Sequence, residues 1–326
     1  MKIIEDKYKL NREIRKSNSI FLMAHRDLDL DALGSCIGMY LYLKSKKKNC
    51  YIIVDDQNHE LGVEKVILEL EGCIEIIKSE NIDKYLDPKD KKNLLIILDT
   101  NKTDLVQSKE LLKRIERKII IDHHDKGKSS IKDALEIIEN DVSSTCEMVT
   151  YLLEEFDITL EPYYATVLLA GIVLDTNNFT LKTKSDTYFA AYYLAKVGAS
   201  AKKVQYLLKQ DLAEYTERQK LLTDIETIHN KIAITKASSH TIYRREDLAK
   251  VAETLLFFNN IEASFVIGKT DKETVGISAR SLGNFDINKI LVKLGGGGDT
   301  YSGAAKFENS TISKVEEELK HILEEG

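Results

Sequence analysis

No two of the four cysteines stand close enough to make a Cys-x-x-Cys pair; Cys36, Cys50, Cys73 and Cys146 are scattered through the first half of the chain. That spacing indicates neither a thiolate zinc site nor a disulfide framework. Each thiol is expected to be a small buried apolar group in a reducing, cytoplasmic setting. No apolar run approaches the length of a membrane span, and the first residues carry no signal-peptide core. Cationic excess is missing too. The chain has 47 Lys and Arg against 53 Asp and Glu, a net charge of −6, which gives no bulk attraction for a long nucleic-acid duplex. Internal repeats and low-complexity tracts are absent. What remains is a chain of 326 residues, 43% apolar and 31% charged. That is too long for one ordinary hydrophobic core and suits two domains.

Largely apolar runs at 20–24, 50–54, 94–98 and 118–121 read as strands of a parallel sheet covered on both faces. Helices are expected at 3–18, 32–47, 60–70, 105–116, 144–155, 162–173 and 184–196. Glu147 lies near N3 of the helix that Ser143-Ser144-Thr145 opens. The alternation argues for βαβ units with right-handed crossovers. Residues 1–199 are therefore expected to form an α/β, parallel-sheet, Rossmann-like domain. Residues 200–230 read as a charged helical linker. The last part, 231–326, changes character. Strands at 231–236, 240–243, 263–269 and 274–279, with helices at 248–256, 287–294 and 312–325, predict a smaller mixed-sheet α/β domain. A further strand or helix begins at 304–307.

Acids and imidazoles gather where apolar segments stop. His25, Asp29 and Asp31 follow the first strand, Asp99 the third, and Asp122, His123 and His124 the fourth, while Asp175 closes a buried helical run. In a parallel sheet the C-terminal strand ends lie on one edge, so these residues can converge. Packing so many carboxylates together without cations is costly. One or two imidazoles with carboxylates suit a divalent ion such as Mn²⁺. Two ions about 3.5–4 Å apart clamp a phosphoryl group and lower the pKa of a water. Each element alone has a plainer reading. Asp29 and Asp31 can cap a helix, Asp99 can form a turn, Asp122-His123-His124 can be a turn with a satisfied His, and Asp175 can cap the next segment. Their recurrence after apolar segments favours the metal reading. Gly295-Gly296-Gly297-Gly298 is expected to be neither helix nor strand. It reads as an open backbone nest for phosphate or a base, against the alternative of a flexible loop. Arg280 is placed to fork onto a phosphate, against the alternative of a surface ion pair.

Taken together, these motifs resemble the DHH/DHHA1 phosphoesterase family. The matching stretches are His25 to Gly34, Asp99-Thr100-Asn101, Asp122-His123-His124, Asp175-Thr176-Asn177 and Gly295 to Gly298. The resemblance implies that His25, Asp29, Asp31, Asp99, His123 and Asp175 ligate two Mn²⁺, with Asp99 bridging. By the same resemblance His124 stands beside the metals to protonate a leaving oxygen or bind phosphate. Asn177, Arg280, Gly295, Gly296, Gly297, Gly298 and Asp299 are the candidate substrate contacts. Asp299 departs from the pattern, because the family usually has His directly after the glycines, and a carboxylate repels phosphate.

The stretches 141–150, 169–179 and 278–281 are similar to the catalytic part of bacterial cyclic-di-AMP phosphodiesterases. Full-length members carry transmembrane, PAS-like and degenerate diguanylate-cyclase-like regions ahead of that part. The chain is therefore expected to be either a stand-alone cytoplasmic enzyme or the cytoplasmic part of a membrane-anchored protein. The implied activity is manganese-dependent opening of cyclic di-AMP to linear pApA. A nanoRNA or pAp phosphatase, a soluble pyrophosphatase and a cyclic-dinucleotide-binding protein with little turnover are the alternatives. The implied partners are a cyclic dinucleotide or a short linear nucleotide, and a second copy in a homodimer.

Overall fold

The chain's structure is a computed structural model that describes residues 1–55, 59–87, 89–298 and 300–324. Why the central strands of its parallel sheet carry unbroken apolar stretches is clear from the first of them. In β1 (Ser19–Met23), Ile20 and Leu22 enter one hydrophobic core while Phe21 and Met23 enter another on the opposite face. A strand covered on both sides has no solvent face to mark with polar residues.

Met1–Lys209 form the first of two compact units. Two short helices, α1 (Lys2–Glu5) and α2 (Lys7–Arg15), precede β1. After it come α3 (Leu30–Ser45), β2 (Asn49–Ile53), α4 (Leu61–Glu69), β3 (Ile76–Ile77), β4 (Leu94–Leu98), α5 (Lys109–Arg114), β5 (Arg117–Asp122) and β6 (Leu135–Ile138). Four helices close the unit: α6 (Thr145–Glu155), α7 (Pro162–Asp175), α8 (Ser185–Val197) and α9 (Ala201–Leu207). The strands pair in the order β3-β2-β1-β4-β5-β6, every neighbour parallel. α3, α6 and α7 pack together. A Cβ on Gly171 of α7 would stand 2.6 Å from Cys146 Sγ and 2.9 Å from Asp31 Cα, so the missing side chain lets α7 close on the start of α3.

Gln210–Gly326 make the second unit. Its elements are α10 (Leu212–Gln219), β7 (Ile225–Ile228), β8 (Ile232–Lys236), α11 (Arg245–Leu255), β9 (Ala263–Lys269), β10 (Thr274–Ser281), α12 (Ile287–Lys293), β11 (Gly297–Gly298), β12 (Ser302–Glu308) and α13 (Ile312–Glu324). The sheet order is β11-β12-β10-β9-β8-β7. The β8–β9 pair is parallel and the rest are antiparallel. A parallel-sheet α/β unit is thus followed by a smaller mixed-sheet α/β unit.

Several local expectations are corrected. The 200–230 segment divides between the two units, α9 falling in the first and α10 in the second, and it is not helical throughout. β7 lies in it as an exposed edge strand, whose Glu226 and Thr227 gave it the look of a charged helix. The expected strand at 240–243 is reduced to one bridge between Ile242 and Lys269. Gly297 and Gly298 form a strand against β12, contrary to the expectation for the glycine run. Cys36, Cys50 and Cys146 are buried as expected, but Cys73 is exposed in the turn after α4. Asp299 lies outside the described residues. Among those described, no helix is long and apolar enough to cross a membrane.

Candidate metal centre

The strand order reverses between β1 and β4, and at such a reversal an open parallel sheet leaves a crevice beyond its carboxyl ends. His25 lies just past β1, Asp99 directly follows β4, and β5 ends on Asp122, so His123 and His124 leave the same edge. α3 starts there with Asp29 as its N-cap and Asp31 in its first turn. Asp175 is the last residue of α7, where the helix dipole disfavours a carboxylate unless a cation is near.

Asp29 serves as a cap and as a site residue at once. Its Oδ1 accepts the Ala32 N–H at 2.9 Å, while Oδ2 lies 3.8 Å from His25 Nε2. His25 Nδ1 donates to the Arg26 carbonyl at 2.7 Å. That bond leaves the lone pair on Nε2, 3.3 Å from Asp99 Oδ2. Asp99 sits in the left-handed region, φ +58°. Its other oxygen, Oδ1, accepts the Thr145 hydroxyl at 3.0 Å and lies 3.4 Å from His123 Nε2. One carboxylate therefore turns its two oxygens toward two different groups. His123 Nε2 is also 3.2 Å from Asp175 Oδ2. Asp31 is anchored by the start of α6, its two oxygens accepting the Thr145 and Cys146 N–H groups, each at 2.8 Å.

Three sets of donor atoms each fall within 4.8 Å: His25, Asp29 and Asp99; Asp31, His123 and Asp175; and Asp99, His123 and His124. All six expected ligands belong to them. Among the described residues neither ring nitrogen of buried His123 makes a hydrogen bond, an orphaning that is rare in native proteins. A donor set of imidazoles and carboxylates around such an orphan fits a divalent cation.

With protons alone to balance the charge, the groups are driven far from their ordinary states. Burial opposes charge on His25, but Asp99 and Asp29 lift it to about 10. His123 is likewise raised by Asp175 and Asp99 against its burial. Burial pushes Asp29 up to about 7. Burial, with Asp99 and Asp175 beside it, raises Asp31 as well. Asp99 is held low, despite burial, by His123 and His25.

His124 is half exposed and differently held. Its Nδ1 donates to Asp122 Oδ1 at 2.8 Å, and its main-chain N–H donates to the same oxygen at 3.1 Å. The second Asp122 oxygen accepts Asn101 Nδ2 at 2.7 Å, and Asn101 Oδ1 accepts the Ser130 hydroxyl at 3.0 Å. A chain from Ser130 through Asn101 and Asp122 thus fixes the ring. Asn101 and Asp122 stood in recognisable motifs without an assigned role. Thr145 was legible only as a helix start, and Ser130 carried no signal.

Asn177 lies two residues past Asp175, in the left-handed region at φ +45°. Arg280 and the glycine run belong to the second unit. Arg280 lines a cavity of about 560 Å³ there, with Gly295 and Gly296.

Residues 19–172 match the DHH family, N-terminal domain, and residues 229–325 match the DHHA1 domain. The chain belongs to the DHH/DHHA1 phosphoesterase family. It is 36% identical over 321 residues to the cyclic-di-AMP phosphodiesterase GdpP of Geobacillus thermodenitrificans, covering 96% of this chain and 48% of the relative. To the cyclic-di-AMP phosphodiesterase PdeA of Listeria monocytogenes it is 35% identical over 315 residues, 95% of this chain and 48% of the relative. It therefore spans about half the length of these relatives. Among solved structures, an exopolyphosphatase-related protein from Bacteroides fragilis shares the fold, with a TM-score of 0.78, 21% identity, and coverage of 98% of this chain and 95% of that one.

Proposed function

We propose that this DHH/DHHA1 chain is a two-metal phosphodiesterase that opens cyclic di-AMP to linear pApA. The observation that carries the two-metal reading is Asp99, whose Oδ1 and Oδ2 face separate His/Asp groups as a bridging carboxylate would. His25, Asp29 and Asp99 would hold one Mn²⁺, and Asp31, His123 and Asp175 the other, with Asp99 shared. Such a pair would supply charge neutralisation at phosphorus and an ionised water. The remaining work falls to the chain's own side chains. His124, with Nδ1 committed to Asp122, has Nε2 free to give a proton to the leaving 3′ oxygen. Arg280 and the glycine-rich edge, both in the second unit, are the proposed contacts for a substrate phosphate or base. The named activities of the two phosphodiesterase relatives support the choice of substrate.

The test is one incubation of the Mn²⁺-loaded chain with cyclic di-AMP, cyclic di-GMP, pApA, pAp and pyrophosphate in parallel. Conversion of cyclic di-AMP to pApA is the expected result. Turnover confined to pApA and pAp would make the chain a linear-nucleotide phosphatase. Pyrophosphate cleavage alone would remove the nucleotide reading, and binding of cyclic di-AMP without turnover would make the chain a receptor.

A further inference from the structure

The cavity of the second unit has a plain floor and charged ends. Pairing of β10 with β12 sets Gly276 opposite Lys306, Ser278 opposite Ala304 and Arg280 opposite Ser302. Alternation along the strands puts these six residues on one face, and all six line the cavity. Small side chains thus separate two cations.

Arg280 is not loose on this face. Its Nε donates to Glu253 Oε1 at 2.9 Å, and its Nη1 donates to the Ala279 carbonyl at 2.9 Å. Among the described residues Nη2 has no hydrogen-bond partner. Glu253 lies in the last turns of α11, the helix whose first turn supplies Arg245 and Glu246 to the same cavity. A free arginine loses much rotamer freedom when it meets an anion, whereas one already held loses little. Holding Nε also decides which nitrogen faces a ligand, because the guanidinium is rigid and planar.

We propose that Glu253 is a positioning residue that sets Arg280 against the cavity wall with Nη2 directed to a substrate phosphate. The inference rests on the reading of Arg280 as a substrate contact. The guanidinium offsets the carboxylate's charge, so Glu253 weakens but does not cancel the attraction of Arg280 for a phosphate. Helix α11 does not depend on this side chain, and alanine at 253 is a good helix former.

The experiment uses the full Mn²⁺-loaded chain with two substrates: cyclic di-AMP, or pApA if that is the one turned over, and bis-p-nitrophenyl phosphate, a phosphodiester without a base. Glu253→Ala is expected to raise KM for the dinucleotide roughly tenfold, the scale of a weakened charge-assisted hydrogen bond. Its kcat, its melting temperature and its rate on the small diester should stay unchanged. Glu253→Gln keeps an acceptor for Nε and should recover most of the affinity. Arg280→Ala should raise KM at least as far, and adding Glu253→Ala to it should do nothing more, because the two act as one unit. If Arg280→Ala raises KM and Glu253→Ala does not, or if Glu253→Ala lowers KM, the positioning role is overturned while the substrate contact stands. Should Arg280→Ala itself leave KM unchanged, the contact reading fails and the inference falls with it. A drop in melting temperature with equal losses on both substrates would make Glu253 a structural residue only.

Discussion

At the scale of single residues, the proposed chemistry divides between Asp99 and His124. Asp99 is backbone-constrained as well as charged, since φ +58° is a conformation that Asp and Asn tolerate better than other side chains. Asp99→Asn therefore keeps the fold and the shape while removing the charge. Metal analysis should find fewer than two Mn²⁺ per chain and activity should be lost. Two bound ions with wild-type turnover in this variant would place Asp99 outside the site. His124→Ala should behave in the opposite way on metals. Its ring is committed to Asp122 rather than to the orphaned centre, so both ions should remain while kcat falls by about 10²–10⁴-fold, the usual worth of a general acid or base. Asp122→Asn should mimic it in part, because an amide offers one accepting oxygen where Asp122 uses two, one for His124 and one for Asn101. Loss of both metals from His124→Ala would make His124 a ligand.

Elements show where sequence reasoning reaches and where it stops. β1, β4 and β5 were legible because burial on both faces leaves each a run of at least three consecutive apolar residues. The His/Asp cluster was legible for the same reason, since a His or Asp directly after such a run stands out. β6 and β7 were not. β6 is mostly half-buried and β7 is exposed over three of its four residues, so neither has an apolar run to read. The residues that orient the site were hidden because their bonds cross long distances in the chain: Thr145 and Cys146 meet Asp31 from the far side of the sheet's connections. The glycine run misled for a steric reason. Its glycines are small to admit neighbouring backbone: a Cβ on Gly298 would stand 2.1 Å from the Ser302 carbonyl oxygen and 2.5 Å from Gly303 Cα. Gly297 is different, as its Cβ would meet only Asn288 Oδ1 at 3.9 Å. Gly298→Ala should thus destabilise by about 1–3 kcal/mol, the cost of overpacking, and Gly297→Ala by less than about 1 kcal/mol. Thermal unfolding of the two variants checks this, and equal losses would mean that β11 does not pair with β12 as described.

For the whole molecule, the His/Asp cluster links stability to pH in a direction that bound cations would reverse. Asp29 is raised from 3.8 to about 7 by burial, and Asp31 is raised with it. A carboxyl whose pKa rises on folding favours the folded chain when protonated. Its contribution is full below about pH 4 and is lost as the pH climbs through about 7. His25, lifted from 6.5 to about 10 by Asp99 and Asp29 against its burial, adds a contribution that is full below 6.5 and lost toward pH 10. The metal-free cluster therefore stabilises the chain more at about pH 5 than at about pH 8. Divalent cations need the deprotonated ligands, so their uptake releases protons and tightens as the pH rises. At a hundredfold excess over Kd, one bound ion adds ~2.7 kcal/mol to the folded state. The gain in Tm on adding Mn²⁺ should consequently be larger at about pH 8 than at about pH 5. In calorimetry the binding enthalpy should change with the ionisation enthalpy of the buffer, because protons leave as the ion enters. An equal gain in Tm at both pH values, with a buffer-independent enthalpy, would mean that the ions bind somewhere other than this cluster.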